Sequence, residues 1–371
     1  MKIAIDISQI IHEGSGVSRY SKNLVSTLLE VDNHNEYILF GYSLRKIQVL
    51  KEFYLKLKNK HSRVSAKLFH FPQIVMGKLW NGIHTFPLDL LIGKVDVFHS
   101  SDWIQPPTSA KKVTTVHDMT PFLYPQYSHP TIIAVQKRRM EWVKKECDAV
   151  ITDSYATKND FMTLTNMSEK RIHVVYPGVE DKFRKIPTKN ILHIKRTYNI
   201  KGKYYLTVGT LEPRKNAQTA IEAYETVRKK IGEETPSLVV AGKEGWGNHI
   251  STSKGVKLLG YVPDLDLPAL YSGAQAFIYP SFYEGFGLPV LEAMACECPV
   301  IASDRGSLSE LVKGCALIIN PENSDTIAQA LLTIRQNNSE RKRLIKNGIK
   351  NAQKFRWENT ARQVLKVYEK L

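Results

Sequence analysis

Short apolar runs alternate with longer amphipathic stretches along most of this chain, and that rhythm predicts buried strands flanked by helices. In the first half the pattern predicts strands over 2–7, 37–41, 64–69, 95–100, 112–118, 148–154 and 172–178. Helices are predicted over 18–29, 129–146 and 157–165, with a further helical region running to about residue 60. The second half repeats the rhythm. Strands are expected over 203–209, 237–241, 256–259, 275–281, 299–303 and 315–320, with helices over 217–231, 265–272, 289–296 and 308–312 and further helices after them. Two successive strand–helix alternations imply an α/β fold of two parallel, doubly wound sheets, whose ligands bind at the carboxyl ends of the strands. Those ends are expected to face each other across a central cleft. The polar stretch 177–201, which holds Pro187, reads as the linker. The expected domains are 1–180 and 181–356.

Composition agrees with a globular chain: 371 residues, 43% hydrophobic and 24% charged. That length suits two domains. No apolar run is long enough for a transmembrane helix, and Asp6 interrupts the apolar start, so neither a membrane span nor a secretory signal is expected. Cys147, Cys296, Cys298 and Cys315 have neither metal-ligand nor disulfide spacing, which fits reduced thiols in the cytoplasm.

Charge changes the picture more. The formal net charge of +16 points to an anionic partner. Lys46, Lys51, Lys56, Lys58, Lys60, Arg63 and Lys67 cluster, with Ile47, Leu50, Tyr54 and Leu57 at helical spacing among them. This is either a basic amphipathic face on anionic lipid or a solvated helix packed on the sheet. The cluster Lys137, Arg138, Arg139, Lys144 and Lys145 has the same two readings. No nucleic-acid motif or aromatic–basic interleaving is present, so nucleic acid is not an expected partner.

The densest chemistry lies in SFYEGFGLPVLEAMA at 281–295. A buried strand ends at Ser281, and the chain turns through Gly285, Phe286, Gly287 and Leu288. A helix then starts at Pro289, which suits a first helical position. Glycines and a helix N-terminus favour an anion there. Glu284 precedes that site and Glu292 is expected in the first turn. Two carboxylates beside a phosphate position make sense if they accept hydrogen bonds from hydroxyls of a sugar and a ribose. In GTLEPRKN at 209–216, Gly209 ends a strand and Arg214 and Lys215 lead into a helix, a good diphosphate clamp. His117, in TVHDMTPF at 115–122, follows an apolar strand, and Asp118 beside it reads as a loop cap. In GSGVSRYSKNLV at 14–25, Gly16 lets the loop approach a phosphate or sugar, and Ser18 is a candidate helix cap. Arg19 reads equally as ligand contact or structural ion pair.

The segment from Glu284 to Glu292 resembles the paired-glutamate motif of the family 4 retaining glycosyltransferases, which adopt the two-Rossmann GT-B fold. The pattern looks most like the mannosyltransferase-like branch. The resemblance spans nearly the whole chain, because the glycine loop, His117, the Arg214–Lys215 pair and the two glutamates occur in the family's order. It implies that Arg214 and Lys215 bind the donor pyrophosphate, His117 sits by the donor sugar, Glu284 holds sugar hydroxyls and Glu292 holds the ribose. GYVPD at 260–264 is similar to the stretch whose backbone meets the nucleobase, which makes Tyr261 and Val262 donor-binding candidates. The final helix, 357–371, is implied to pack back on the first domain. One departure stands out. Relatives usually read Ala-Cys-Gly where this chain has Ala295, Cys296 and Glu297, and a glutamate in a left-handed cap position is strained by about 1 kcal/mol.

The resemblance therefore implies a hexosyltransferase that uses a nucleoside diphosphate sugar, GDP-mannose as first expectation and a UDP-sugar or dTDP-rhamnose as alternatives. The acceptor is expected to be a lipid-linked or soluble glycan of polysaccharide or O-antigen assembly. No metal and no cofactor is expected, and Asp264 and Asp266 read as caps of the following helix, not metal ligands. The expected location is the cytoplasm, with peripheral contact with the inner face of the cell membrane as a further alternative. The rival readings are a sugar-nucleotide epimerase and a non-catalytic nucleotide- or nucleic-acid-binding protein.

Overall fold

The structure is a computed structural model that describes residues 1–246 and 250–371. Its chain divides into two compact units. The first comprises Met1–Gly178 with Trp357–Leu371, and the second Val179–Arg356.

The first unit is built on seven parallel strands: β1 (Lys2–Asp6), β2 (Glu36–Tyr42), β3 (Val64–Phe69), β4 (Val97–Ser100), β5 (Lys111–Val116), β6 (Ala149–Thr152) and β7 (Ile172–Val174). Their spatial order is β3-β2-β1-β4-β5-β6-β7. The chain reverses its direction of travel across the sheet between β1 and β4, and the ends of these two strands bound the usual ligand crevice. Both faces are covered, so the strands read as continuous apolar runs. Ile3 and Ile5 enter one core with Leu24, Leu28, Leu50 and Val364, while Ala4 faces another with Phe40, Trp80 and Phe98. The helix Trp357–Tyr368 lines Trp357, Ala361, Val364 and Tyr368 along one stripe and buries them in the first of these cores.

Three details of the first unit differ from the expectations set by the sequence. The first long helix runs Gly16–Val31, not 18–29, and its cap is Ser15, whose side chain accepts the Ser18 N–H. Ser18 lies inside the first turn, buried, with its hydroxyl donating to the Ile10 carbonyl at 3.0 Å. The basic stretch forms the helix Ile47–Lys58, and most of its apolar residues are engaged in the core. Ile47, Leu50 and Leu57 are buried in the core and Tyr54 packs against it, while Lys51, Lys56 and Lys58 are exposed. The helix packs on the sheet through these residues, and Leu55 is exposed among its lysines. Arg139 of the second basic cluster is buried too. Its guanidinium donates to Thr114 Oγ1 at 2.6 Å and to the Thr115 carbonyl at 3.1 Å.

The second unit repeats the plan with six parallel strands: β8 (Tyr204–Val208), β9 (Ser237–Ala241), β10 (Val256–Gly260), β11 (Phe277–Tyr279), β12 (Val300–Ala302) and β13 (Ala316–Ile318). Their order is β10-β9-β8-β11-β12-β13, with the reversal between β8 and β11. The stretch expected to be a linker carries a helix, Thr188–Thr197. Its Ile191 packs so closely on Gly273 that a Cβ there would lie 2.7 Å away. Asp266 stands at the cap position of the helix Leu267–Gly273 without capping it, because its carboxylate accepts the Tyr198 hydroxyl at 2.6 Å.

Candidate active site

The loops after β8 and β11, on either side of the second sheet's reversal, bring together Arg214, Lys215 and Glu284 of the residues that the sequence singled out. After β8 the chain turns at Gly209 and forms a short 3-10 turn, Pro213–Lys215, before the helix Ala217–Ile231. Gly209 has φ 147°, and a Cβ on neighbouring Gly242 would lie 1.8 Å from the Gly209 carbonyl oxygen, so the two backbones touch where side chains would forbid it. The turn aims Arg214 and Lys215 at Glu284. Arg214 Nη1 donates to Glu284 Oε2 at 2.7 Å and to the Tyr283 carbonyl at 2.8 Å, while Nη2 reaches Glu212 at 2.7 Å. Lys215 Nζ donates to Glu284 Oε1 at 2.7 Å and to the Tyr279 hydroxyl at 2.6 Å.

Two cations before a helix N-terminus need an anion, and in this structure the anion is Glu284 itself. Glu284 is 6% exposed. Burial alone would raise its carboxyl, but Arg214 and Lys215 reverse that and hold it at about 2. Burial pulls the Lys215 ammonium below its usual range while Glu284 pushes back. The backbone of Glu284 is fixed from a loop that sequence reasoning missed: Ser307 donates to its carbonyl through N–H at 3.1 Å and Oγ at 2.9 Å. A serine in a loop carries no sequence signal for such a contact.

The glycine-rich turn leads into the helix Leu288–Ala295, one residue earlier than expected, with Pro289 second. Gly287 has φ 103°, and a Cβ there would meet Leu308 Cδ2 at 2.5 Å. Glu292 therefore lies beyond the first turn. It is 1% exposed, and its Oε2 accepts the Tyr271 hydroxyl at 3.2 Å. Phe286 is buried, with its ring edge-on to Phe355 at 5.7 Å. At the end of β10, Val262 is buried and Tyr261 exposed. The helix ends with Glu297 at φ 60°, in the left-handed conformation that glycine adopts most readily. The end keeps the form a glycine would give it, because Cys298 N–H reaches the Ala293 carbonyl at 2.9 Å and Glu297 N–H the Met294 carbonyl at 3.1 Å.

In the first unit, His117 follows β5 and Gly16 begins the helix after β1. A Cβ on Gly16 would meet nothing within 4 Å, so its surroundings are open. His117 Nδ1 donates to Asp153 Oδ2, at the end of β6, at 2.6 Å. Asp153 is a second residue that the sequence did not single out. Burial alone would lower the imidazole of His117, but Asp153, Asp102 and Asp118 outweigh it and lift it to about 9. Asp118 also caps its loop, accepting Thr120 N–H at 2.9 Å. The ring of Tyr20 stands edge-on to His117 at 4.6 Å and to Trp357 at 5.6 Å. Below them His99, which burial keeps neutral with its imidazole lowered to about 3, bridges Tyr368 at 2.6 Å and Thr115 at 2.9 Å.

Comparison with known proteins follows the same division. The profile described as Glycosyltransferase Family 4 matches residues 14–183, and that described as Glycosyl transferases group 1 matches residues 189–351. The chain is 30% identical to O-antigen chain mannosyltransferase B of Escherichia coli over the whole of both proteins. It is 31% identical to O-antigen chain mannosyltransferase RfbU of Salmonella typhimurium over 62% of each chain. Among solved structures, Alr3699/HepE of Anabaena in complex with UDP and glucose superposes with TM-score 0.76 at 17% identity, covering 100% of both chains. Sucrose-phosphate synthase from Thermosynechococcus elongatus gives 0.75 at 18%, covering 100% of this chain and 98% of the other. At such identities the likeness is one of fold, two parallel-sheet units of the GT-B type. Among the described residues no helix is long and apolar enough to cross a membrane.

Proposed function

This chain belongs to glycosyltransferase family 4, and from that premise we propose that it transfers mannose from GDP-mannose, with retention of configuration, to a hydroxyl of a lipid-linked glycan in O-antigen assembly. The observation that carries the proposal is the triad of Arg214, Lys215 and Glu284 at the reversal point of the second sheet. Departure of a nucleoside diphosphate is an electrostatic problem, and two partly buried cations placed before the charge develops address it. Arg214 and Lys215 stabilise the leaving diphosphate. Glu284 holds them in place and accepts hydrogen bonds from the sugar hydroxyls, and Glu292 meets the ribose diol. His117 donates to the sugar. No metal takes part.

Glu284 is a poor covalent nucleophile, since both its oxygens are engaged by cations and its carboxyl is held at about 2. Retention then comes from attack on the face the diphosphate leaves, with the leaving phosphate taking the acceptor proton. The sugar follows the relatives' names as mannosyltransferases. A thermal-shift panel of GDP, UDP, dTDP and ADP with their sugars tests the donor. A ligand at 100 times its dissociation constant stabilises by about 2.7 kcal/mol. Stabilisation by UDP-sugars alone would overturn the guanosine donor.

A further inference from the structure

Asp153 directly follows β6 at 5% exposure, and its two oxygens are used unequally. Oδ2 takes the Nδ1–H of His117 at 2.6 Å, while Oδ1 is buried with no hydrogen-bond partner. Burial raises the carboxyl of Asp153 and the His117 ring pulls it back down; paired with that ring the carboxylate only accepts, so the hydrogen between the two groups belongs to Nδ1. The far nitrogen, Nε2, has no partner among the described residues, and its state decides what His117 can do. With a lone pair it is a base; with a hydrogen it is a charged donor.

The surroundings decide between the two. Asp153 from β6, Asp102 from the loop after β4, and Asp118 beside the histidine all bear on the ring and favour its charge. From the first helix comes Tyr20, a neutral ring edge. From β4 comes His99, which is neutral. From the helix Pro130–Glu146 comes the buried cation Arg139, which Asp102 faces. Among the described residues, three carboxylates thus stand against one cation.

We propose, resting on the reading of His117 as a substrate contact, that Asp153 is a positioning residue. It locks His117 as an imidazolium whose Nε2–H is presented to the substrate as a charged hydrogen-bond donor. His117 is then excluded as the base that takes the acceptor proton, and its service is to bind an oxygen lone pair or a developing negative charge.

The test is a histidine-selective 15N NMR titration of the full chain, with turnover measured against pH beside it. Wild-type His117 stays protonated through pH 8, and Asp153→Asn brings its titration down toward the ordinary 6.5. Turnover of the variant, taken as a ratio to wild type at each pH, is near its maximum at pH 5.5. It falls about tenfold by pH 7.5, where one histidine in about ten would remain protonated. Wild-type titration near 6.5 overturns the proposal. So does a loss in Asp153→Asn that is the same at every pH, which is what a merely structural carboxylate would give. Should the variant fail to fold, the wild-type titration alone decides. If His117→Ala transfers sugar as well as wild type, the substrate-contact reading fails, while the NMR titration still tests separately whether Asp153 sets the charge of the ring.

Discussion

Arg214 and Glu284, seventy residues apart, share a hydrogen-bonded ion pair of 2.7 Å that joins the loop after β8 to the loop after β11. Glu284 is buried and Arg214 partly so, with Lys215 on the other carboxylate oxygen, so each partner neutralises a charge that would otherwise be stranded.

Glu284→Ala is expected to abolish sugar transfer while GDP binding survives, because the cations that meet the diphosphate remain. Calorimetric titration with GDP alongside a radiolabelled-mannose transfer assay separates the two. A variant with wild-type transfer would remove Glu284 from the mechanism. Lys215→Ala should lower transfer and nucleotide affinity together.

Stability should depend on pH through two groups with opposite signs. Glu284 has its carboxyl lowered from 4.5 to about 2, so its contribution is full above 4.5 and is lost as pH falls through about 2. His117 has its imidazole raised from 6.5 to about 9, so its contribution is full below 6.5 and is lost as pH rises through about 9. Urea unfolding of wild type against Glu284→Gln isolates the first. The gap between them, of the order of 3 kcal/mol at neutral pH for a broken buried pair, should shrink between pH 4.5 and 2.5. A constant gap would contradict the assignment.

Glu297→Gly should stabilise the second unit by about 1 kcal/mol, since glycine relieves the left-handed backbone at φ 60°. The charge contact given up, with Lys185 at 4.0 Å, lies between half-exposed groups, and such pairs contribute little. A lower urea midpoint for the variant would show that the glutamate does more than tolerate its position.

Gly287→Ala should destabilise by about 2 kcal/mol, from an unfavourable φ and a Cβ driven into Leu308. Transfer should fall with it, because the turn presents the helix start beside Glu284. Adding Leu308→Ala would remove the clash without relieving the backbone. Recovery of full stability in the double variant would mean that the conformation itself costs nothing.

The parallel strands were legible because both faces of each sheet are covered, which writes them as unbroken apolar runs. The triad was legible because charged residues beside glycine turns rarely serve packing alone. Asp153 was not. It falls inside the strand expected over 148–154, where an aspartate carries no signal of its own, and its partner lies thirty-six residues earlier. The helix Thr188–Thr197 was hidden for a different reason: its flanking polar residues and Pro187 outweighed the two isoleucines that anchor it. Arg139 was misjudged because a run of cations looks uniformly exposed, and only the fold shows that one of them turns inward to Thr114. Ser15 and Ser18 are both good caps, and three residues of register separate the one used from the one that is not.

The segment Trp357–Leu371 completes the core of a unit whose other residues all precede Val179. On the ribosome this has a consequence for the order of events. The first sheet is synthesised early, yet it must wait with an open apolar flank, and with His99 lacking Tyr368, until the entire second unit has been made. The second unit is contiguous in sequence and can close as it emerges. Nascent chains released before residue 357 would therefore carry a finished second unit beside an unfinished first one, which makes the earliest-made half of the molecule the last to become resistant to protease.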